Sequence, residues 1–255
     1  AMGKLPIWWA LFNEPGGMLV RNLLENKRDS RYKKIRKHGY LEKSRIHTTE
    51  LIEKLKKSGI TEIVINVHHF ADQVIQSVNS TDIGIKIHIS DERDLLLDTG
   101  GGLKKAACFL TGNEPVLIYN VDILSNIDLN LVKKQHLETG ALATLTVRKR
   151  ETQRYLKFND KQLAGWINKK TGETKISLPE VFENAEEMAF SGIHMVQPEI
   201  FKMMPETERF SIIDLYLELA KTQKIMAFYD DSDLWIDVGK PEELEVARKI
   251  FVYNR

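Results

Sequence analysis

The segment from residue 95 to residue 122 is the feature that most constrains how this chain can fold. It contains three consecutive glycines, Gly100–Gly102, and then the apolar run Val116–Tyr119. That run has the length and the β-branched content of a buried strand, and it leads directly into Asn120-Val121-Asp122. A carboxylate therefore follows the end of a buried strand, which in open α/β sheets is the edge where ligands bind.

The chemistry of this segment favours a phosphorylated ligand together with a divalent cation. We expect Gly100–Gly102 to open a short helix. Glycine lets the backbone approach a ligand closely, and free amides at the start of a helix attract anions. A carboxylate at a strand end, such as Asp122, can hold a hard cation beside phosphate oxygens.

Strand-like and helix-like segments alternate from about residue 46 onward. The predicted strands are Ile63–Val67, Ile83–Ile89, Val116–Tyr119, Ala143–Arg148, Phe190–Val196 and a strand ending at Asp237, with a hairpin over 155–167. The predicted helices cover 48–57, 70–78, 129–138, 198–204, 212–222 and 242–253. This alternation predicts an α/β protein with a mixed, mostly parallel central sheet flanked by helices.

Composition narrows the function classes. A chain of 255 residues with 42% hydrophobic residues is typical of a globular protein, and a formal net charge of +1 indicates no particular partner. No apolar run approaches the roughly 20 residues that span a bilayer, so we expect no membrane contact and a cytoplasmic location. The single cysteine, Cys108, excludes an internal disulfide and is expected to be a small buried side chain.

Residues 1–45 differ from the rest of the chain, and we treat 46–255 as the regular part of a single domain. Between Lys27 and Arg45 the chain has nine Lys or Arg residues and two acidic residues, without sustained apolar periodicity. A basic arm for nucleic acid or acidic lipid is one interpretation, and a solvated segment is the other. We favour the solvated segment because no aromatic or structural context accompanies the charges, so no nucleic-acid partner is expected.

A second strand-end carboxylate, Asp237, strengthens the metal hypothesis. Mg²⁺ prefers one or two carboxylates together with phosphate oxygens and water, and Asp122 and Asp237 would supply two. Each aspartate has an alternative role as a helix N-cap. The glycine segment favours the metal.

Three further segments carry weaker signals. The basic loop 168–173 can meet a sugar phosphate or remain solvated, and the sequence leaves both interpretations open. Gly192 lies inside a predicted strand, where a glycine often marks close approach of a ligand or of another backbone. His68 and His69 are adjacent on or just after a strand and would point to opposite faces, so they are not expected to share a metal.

The order of these motifs resembles the sugar-1-phosphate nucleotidylyltransferases, nearest to N-acetylmuramate 1-phosphate uridylyltransferase and mannose-1-phosphate guanylyltransferase-like proteins. The resemblance rests on Gly59–His69, Leu97–Gly102, Asn120–Asp122, Phe190–Ile193 and Trp235–Pro241. It implies a Rossmann-like nucleotidyltransferase fold. It also implies a Mg²⁺-dependent reaction in which a nucleoside triphosphate and a sugar 1-phosphate form an NDP-sugar, such as a UDP- or GDP-sugar, and pyrophosphate.

The resemblance also implies roles for individual residues. Thr99, Gly100, Gly101 and Asn120 would bind the nucleotide, Asp122 and Asp237 would bind Mg²⁺ and act in catalysis, and Gly192, Asn168 and Lys169 would lie near the sugar. In such a reaction the protein mainly positions the reactants and neutralises charge, so no side-chain nucleophile is required. The oligomeric state is expected to be a monomer or a small homo-oligomer.

The N-terminal segment departs from the family pattern. The family has a Gly-x-Gly-Thr-Arg loop followed by a Pro-Lys pair, whereas residues 14–28 contain Gly16, Gly17, Arg21 and Lys27 out of register. One alternative is therefore a non-catalytic module that binds a nucleotide or sugar nucleotide. Another is a glycosyltransferase of related fold, although Leu124 stands where the second aspartate of an Asp-x-Asp motif would be.

Overall fold

The computed structural model of the protein describes residues 8–11, 51, 54–68, 71–79 and 84–237. The strands are β1 Trp8–Leu11, β2 Glu62–Val67, β3 Lys86–Asp91, β4 Val116–Tyr119, β5 Ile123–Ser125, β6 Ala143–Arg148, β7 Arg154–Asn159, β8 Gln162–Asn168, β9 Thr174–Ile176, β10 Glu186–Val196, β11 Ile225–Tyr229 and β12 Trp235–Asp237. The helices are α1 Ala71–Asn79, α2 Asp98–Ala106, α3 Leu129–Thr139, α4 Pro179–Phe182 and α5 Ile212–Leu219, with 3₁₀ turns at Ala107–Phe109 and Pro198–Met203.

Within the described residues, ten strands form one mixed sheet, and β5 and β12 form a separate two-stranded ladder. The order in the large sheet is β3-β2-β1-β4-β10-β6-β11-β8-β7, with β9 paired to β8. Strands β3, β2, β1 and β4 are parallel, whereas β10 is antiparallel to both β4 and β6. Because β4 and β6 are both antiparallel to β10, they run in the same direction, and β11 is parallel to β6. The carboxyl ends of β4, β6 and β11 therefore lie at one edge of the sheet. The predicted α/β class and mixed sheet are confirmed.

The strand β1 was not anticipated from the sequence, which we expected to become regular only near residue 46. It pairs in parallel with β2 on one side and β4 on the other, so that Trp9 is opposite both Val64 and Ile118. Four residues of the atypical N-terminal segment therefore occupy the middle of the parallel half of the sheet. The remainder of residues 1–45 lies outside the described residues.

Alternating side chains along the central strands bury both faces of the sheet. Val64 and Ile118 pack on one face with α2 and α5, through residues such as Leu103. On the other face, Ile63 and Leu117 pack with the helical residues 54–57, α1 and α3, whose buried side chains are Leu55, Ala71, Val78, Leu129 and Val132. Burial on both faces explains why these strands read as continuous apolar runs.

Most of the local predictions match the observed elements. The hairpin over 155–167 is β7 and β8, and its two turn residues, Asp160 and Lys161, both have positive φ, as a tight hairpin turn requires. Helix α3 begins after Asp128, whose carboxylate accepts from the amide of Asn130, and it ends at Gly140 in the left-handed conformation. The helix predicted from residue 242 lies outside the described residues. Cys108, expected to be buried, is exposed.

Candidate active site

The two predicted metal ligands come together through the small β5–β12 ladder. Asp237 is opposite Ile123 in this antiparallel pair, and Asp122 is the residue immediately before Ile123. Asp122 follows β4 through a turn and leads into β5, so it is not the N-cap of a helix. Two aspartates separated by 114 residues of sequence (237 − 122 − 1) are thereby neighbours at the carboxyl edge of the sheet.

A bulge in β10 completes this corner of the molecule. The four steps of β10 from Phe190 to His194 span only two steps of β6, so the pairing register shifts by two residues. Gly192 lies inside the bulge with a φ of 76°, and its carbonyl accepts a hydrogen bond from the amide of Asn120 at 2.9 Å. A Cβ at this position would lie 2.9 Å from the Ile123 side chain, so glycine is required here for close approach of the β4–β5 turn.

An arginine that the sequence analysis did not single out also faces this corner. The guanidinium carbon of Arg150 lies 4.3 Å from the centroid of the Trp235 ring, and its Nη2 donates to the carbonyl of Phe190 at 3.0 Å. Burial lowers the pKa of Arg150, and the negative charge of Asp237 opposes that shift. The signal available in the sequence was its position two residues beyond β6, because that strand end lies at the same edge as Asp122.

Two neighbouring basic residues have partners of their own. Arg148 donates from Nη1 to Asp230 at 3.2 Å and from Nη2 to the carbonyl of Ser232 at 3.0 Å. Lys54 donates from Nζ to the carbonyl of Ser125, at the end of β5. Burial lowers the pKa of Lys54 to about 8, against the opposing influence of acidic residues nearby. Arg148 and Lys54 thus form hydrogen bonds with other residues of the protein around the site.

The backbone amides of the glycine segment, which we expected to be free, have acceptors within the protein. Helix α2 begins at Asp98, and the amides of Gly100 and Gly101 donate to the carbonyl of Phe210 at 2.9 and 3.3 Å. The hydroxyl of Thr99 accepts from the amide of Ile212 at 2.9 Å. These amides are therefore not free anion donors in this structure, and the small size of the glycines lets the segment 208–212 dock directly on the helix.

The predicted sugar residues do not gather in one place. Asn168 closes a turn in which its carboxamide oxygen accepts from the amide of Lys170 at 3.0 Å. Lys169 is exposed and pairs with Glu187 at 2.6 Å. Glu187 is five residues before Gly192 on β10, which corresponds to about 16 Å along the strand at the usual rise per residue. His68 has its Nδ1 2.6 Å from the carbonyl oxygen of Glu92, and His69 lies outside the described residues.

Asp122 and Asp237 are the acidic residues at the β5–β12 ladder that could hold a cation. Asp122 lies in the turn before β5 and Asp237 is the last residue of β12, and Mg²⁺ takes one or two carboxylate ligands beside substrate oxygens and water. In the part of the chain that the structure describes, no three His, Cys, Asp or Glu side chains form a group able to hold a metal.

A family model described as nucleotidyl transferase matches residues 40–251. The chain belongs to the nucleotidyl transferase family. This confirms the resemblance found from the motifs. None of the helices among the described residues of this nucleotidyl transferase has the length and apolar character needed to cross a bilayer.

Two curated bacterial relatives of this nucleotidyl transferase have informative names. N-acetylmuramate alpha-1-phosphate uridylyltransferase of Caulobacter vibrioides is 28% identical over 200 residues, which cover 75% of this chain and 78% of the relative. D-glycero-alpha-D-manno-heptose 1-phosphate guanylyltransferase of Campylobacter jejuni is 28% identical over 193 residues, covering 76% and 80%. Both names describe transfer of a nucleotide to a sugar 1-phosphate, one with a uridylyl group and the other with a guanylyl group.

Solved structures share the fold. HddC from Yersinia pseudotuberculosis superposes with a TM-score of 0.64 at 20% identity, over 80% of this chain and 84% of that chain. A UDP-glucose pyrophosphorylase complexed with UDP-glucose superposes with a TM-score of 0.63 at 14% identity over the whole of both chains. The predicted Rossmann-like nucleotidyltransferase fold is confirmed.

Proposed function

We propose that this nucleotidyl transferase forms an NDP-sugar and pyrophosphate from a nucleoside triphosphate and a sugar 1-phosphate, with UTP or GTP as the nucleotide and Mg²⁺ as the cofactor. The observation that carries the proposal is the β5–β12 ladder, which makes neighbours of Asp122 and Asp237 beside the Gly192 bulge. The names of the two bacterial relatives, one a uridylyltransferase and the other a guanylyltransferase, support UTP and GTP as the candidate nucleotides.

The reaction requires positioning and charge neutralisation. An oxygen of the sugar phosphate forms a bond to the α-phosphorus, the bond from the α-phosphorus to the bridging oxygen breaks, and the electron pair leaves with pyrophosphate. Asp122 and Asp237 would hold the Mg²⁺, which when bound supplies positive charge beside the phosphates. Asn120 and the β10 bulge would orient the reactants, since a fixed geometry makes the attack effectively unimolecular.

A second candidate is a module that binds a nucleotide or sugar nucleotide without catalysis. It is favoured by residues 14–28, which lack the Thr-Arg and Pro-Lys pairs that the family uses to hold the triphosphate. Without these strong charge-assisted contacts to the triphosphate, catalysis would be weakened.

Pyrophosphate release with Mg²⁺, measured for four nucleoside triphosphates against N-acetylmuramate, heptose, mannose and glucose 1-phosphates, tests the proposal. We expect release with UTP or GTP and a loss of about 100-fold or more in Asp122→Asn, because a ligand of the metal is removed. Asp214→Asn is the matched control, since Asp214 is an exposed aspartate paired with the exposed Lys175 at 2.6 Å.

The possible outcomes separate the two candidates. Release that requires Asp122 and tolerates Asp214→Asn supports the transferase. Saturable binding of a nucleotide, with no pyrophosphate released from any pair of substrates, supports the binding module and overturns the proposal.

A further inference from the structure

Arg150 is a partly buried cation that the protein holds in place without a salt bridge among the described residues. Its Nη2 donates to the carbonyl of Phe190 at 3.0 Å, whereas its Nε is buried and has no acceptor among the described residues. Within that same part of the chain it forms no ion pair with a carboxylate, in contrast to Arg148, which pairs with Asp230. The charge of Asp237 offsets part of the cost of burying this guanidinium, and the Nε still has no acceptor in that part of the chain, so the arrangement favours an anion that arrives from outside the chain.

The guanidinium is held by a rigid support. It lies over the indole of Trp235 at 4.3 Å, and the Trp235 Nε1 donates to the carbonyl of Ser191 at 2.9 Å. A guanidinium that stacks on an aromatic face keeps the N–H donors along its edge free to bind a ligand. The planar arrangement of these donors matches the oxygens of a phosphate. The indole and the Phe190 carbonyl therefore fix the direction in which that edge points.

The two supports of Arg150 lie next to the parts of the site assigned to different reactants. Phe190 and Ser191 immediately precede Gly192 in the β10 bulge, and Trp235 is two residues before Asp237 on β12. The charge of Asp237 also acts on the guanidinium. Arg150 thus lies between the bulge, where the sugar is expected, and the aspartate pair.

We propose that Arg150 binds the phosphate group of the sugar 1-phosphate and orients its attacking oxygen. This inference rests on the proposed function and adds a residue for the acceptor substrate. A phosphate oxygen of the triphosphate has the same chemistry, but the hydrogen bond from Arg150 to the carbonyl of Phe190, beside the bulge, favours the sugar side. Its role is charge-assisted binding, with no bond made or broken at the arginine.

Steady-state kinetics with separate variation of the two substrates tests the inference. Using the pair that gives the fastest pyrophosphate release, Arg150→Gln is expected to raise the KM for the sugar 1-phosphate about 10-fold or more, as loss of a charge-assisted contact implies. The KM for the nucleoside triphosphate should stay within about twofold. Arg150→Lys should recover only part of the loss, because lysine keeps the charge without the planar donors.

Lys149→Gln is the matched control, since it removes the same charge from the adjacent residue, whose side chain is 79% exposed and paired with Glu186. Equal effects of Lys149→Gln and Arg150→Gln would overturn the inference, as would a rise in the KM for the triphosphate alone. If Arg150→Gln does not fold, as judged by circular dichroism, Arg150→Lys tests the same KM split. A wild-type protein that releases no pyrophosphate overturns the proposed function and the inference with it, whereas an active wild type with an unchanged sugar KM in Arg150→Gln overturns the inference alone.

Discussion

The amide of Asn120 donates a hydrogen bond to the carbonyl of Gly192 at 2.9 Å. This bond joins the turn after β4 to the bulge of β10. Because Asp122 is in the same turn, the position of a predicted metal ligand depends on a backbone contact made far along the chain. The geometry of the site is therefore sensitive to the size of residue 192.

Gly192→Ala is expected to lower the free energy of unfolding by about 2–4 kcal/mol, from left-handed strain and overpacking together. An alanine Cβ would lie 2.9 Å from the Ile123 side chain and 3.2 Å from the carboxamide nitrogen of Asn120. Urea unfolding followed by circular dichroism measures the change. Gly172→Ala is the control, because Gly172 has a similar φ of 73° with nothing within 4 Å. Equal losses in the two variants would show that the Asn120 and Ile123 contacts do not matter.

Asp122→Asn and Asp237→Asn are expected to act non-additively on pyrophosphate release. If both carboxylates hold the same cation, either substitution removes most of its effect, and the double variant should be little slower than the slower single variant. The turnover number kcat at saturating substrates, determined for the four proteins over a range of Mg²⁺ concentrations, is the measurement. Multiplicative losses would mean that the two aspartates serve separate purposes.

Two buried histidines are expected to make the protein less stable as the pH falls. Burial lowers the pKa of His194 to about 3 and that of His136 to about 4, whereas an unfolded histidine titrates near 6.5. The unfolded chain therefore binds more protons below pH 6.5, and the free energy of unfolding falls by up to about 1.4 kcal/mol per pH unit for each histidine. That contribution stops growing at the folded pKa of each residue.

Urea unfolding between pH 7.5 and 4.5 tests this dependence. The slope against pH should be shallower in His194→Gln and in His136→Gln than in the wild type, because each variant lacks one titrating group. Glutamine keeps a polar atom for the partners, which are the Tyr216 hydroxyl at 3.1 Å from His194 and the Thr144 hydroxyl at 2.8 Å from His136. Parallel slopes in all three proteins would contradict the expectation.

Asp230→Asn is expected to destabilise the protein by about 3 kcal/mol, because it leaves the Arg148 charge without its buried partner. The Asp230 side chain is only 1% exposed and also accepts from the amide of Ser232 at 3.0 Å. Thermal and urea unfolding give the measurement. Asp214→Asn, which breaks a pair whose side chains are 42% and 52% exposed, should change stability by less than about 1 kcal/mol. If Asp230→Asn and Asp214→Asn lower the free energy of unfolding by the same small amount, water must solvate the Arg148 charge when Asp230 is neutralised.

Much of the fold follows from local patterns in the chain. Continuous apolar runs such as Val116–Tyr119 require burial on both faces, and the Asn159-Asp160 pair predicts a tight hairpin turn. The strand Trp8–Leu11 was missed because it has only four residues and lies in a segment without periodicity. Its pairing with β2 and β4 cannot be inferred from its own residues.

The candidate site was predictable in part. Asp122 and Asp237 were predicted as metal ligands because an acidic residue at the end of an apolar run is a local signal, and their role stays a prediction. Arg150 was missed because its position near Asp237 depends on which strand ends share an edge, and the direction of β10 determines that.

The chain alone determined the α/β class, the approximate positions of most long strands and helices, and the family, because those depend on periodicity, turn chemistry and ordered motifs. Only the tertiary structure decided that Gly100 and Gly101 contact the Phe210 segment, that Gly192 contacts the β4–β5 turn, and that β12 returns to β5. These are contacts between residues far apart in sequence. They are selected by the packing of whole elements, which the local propensities of either partner do not encode.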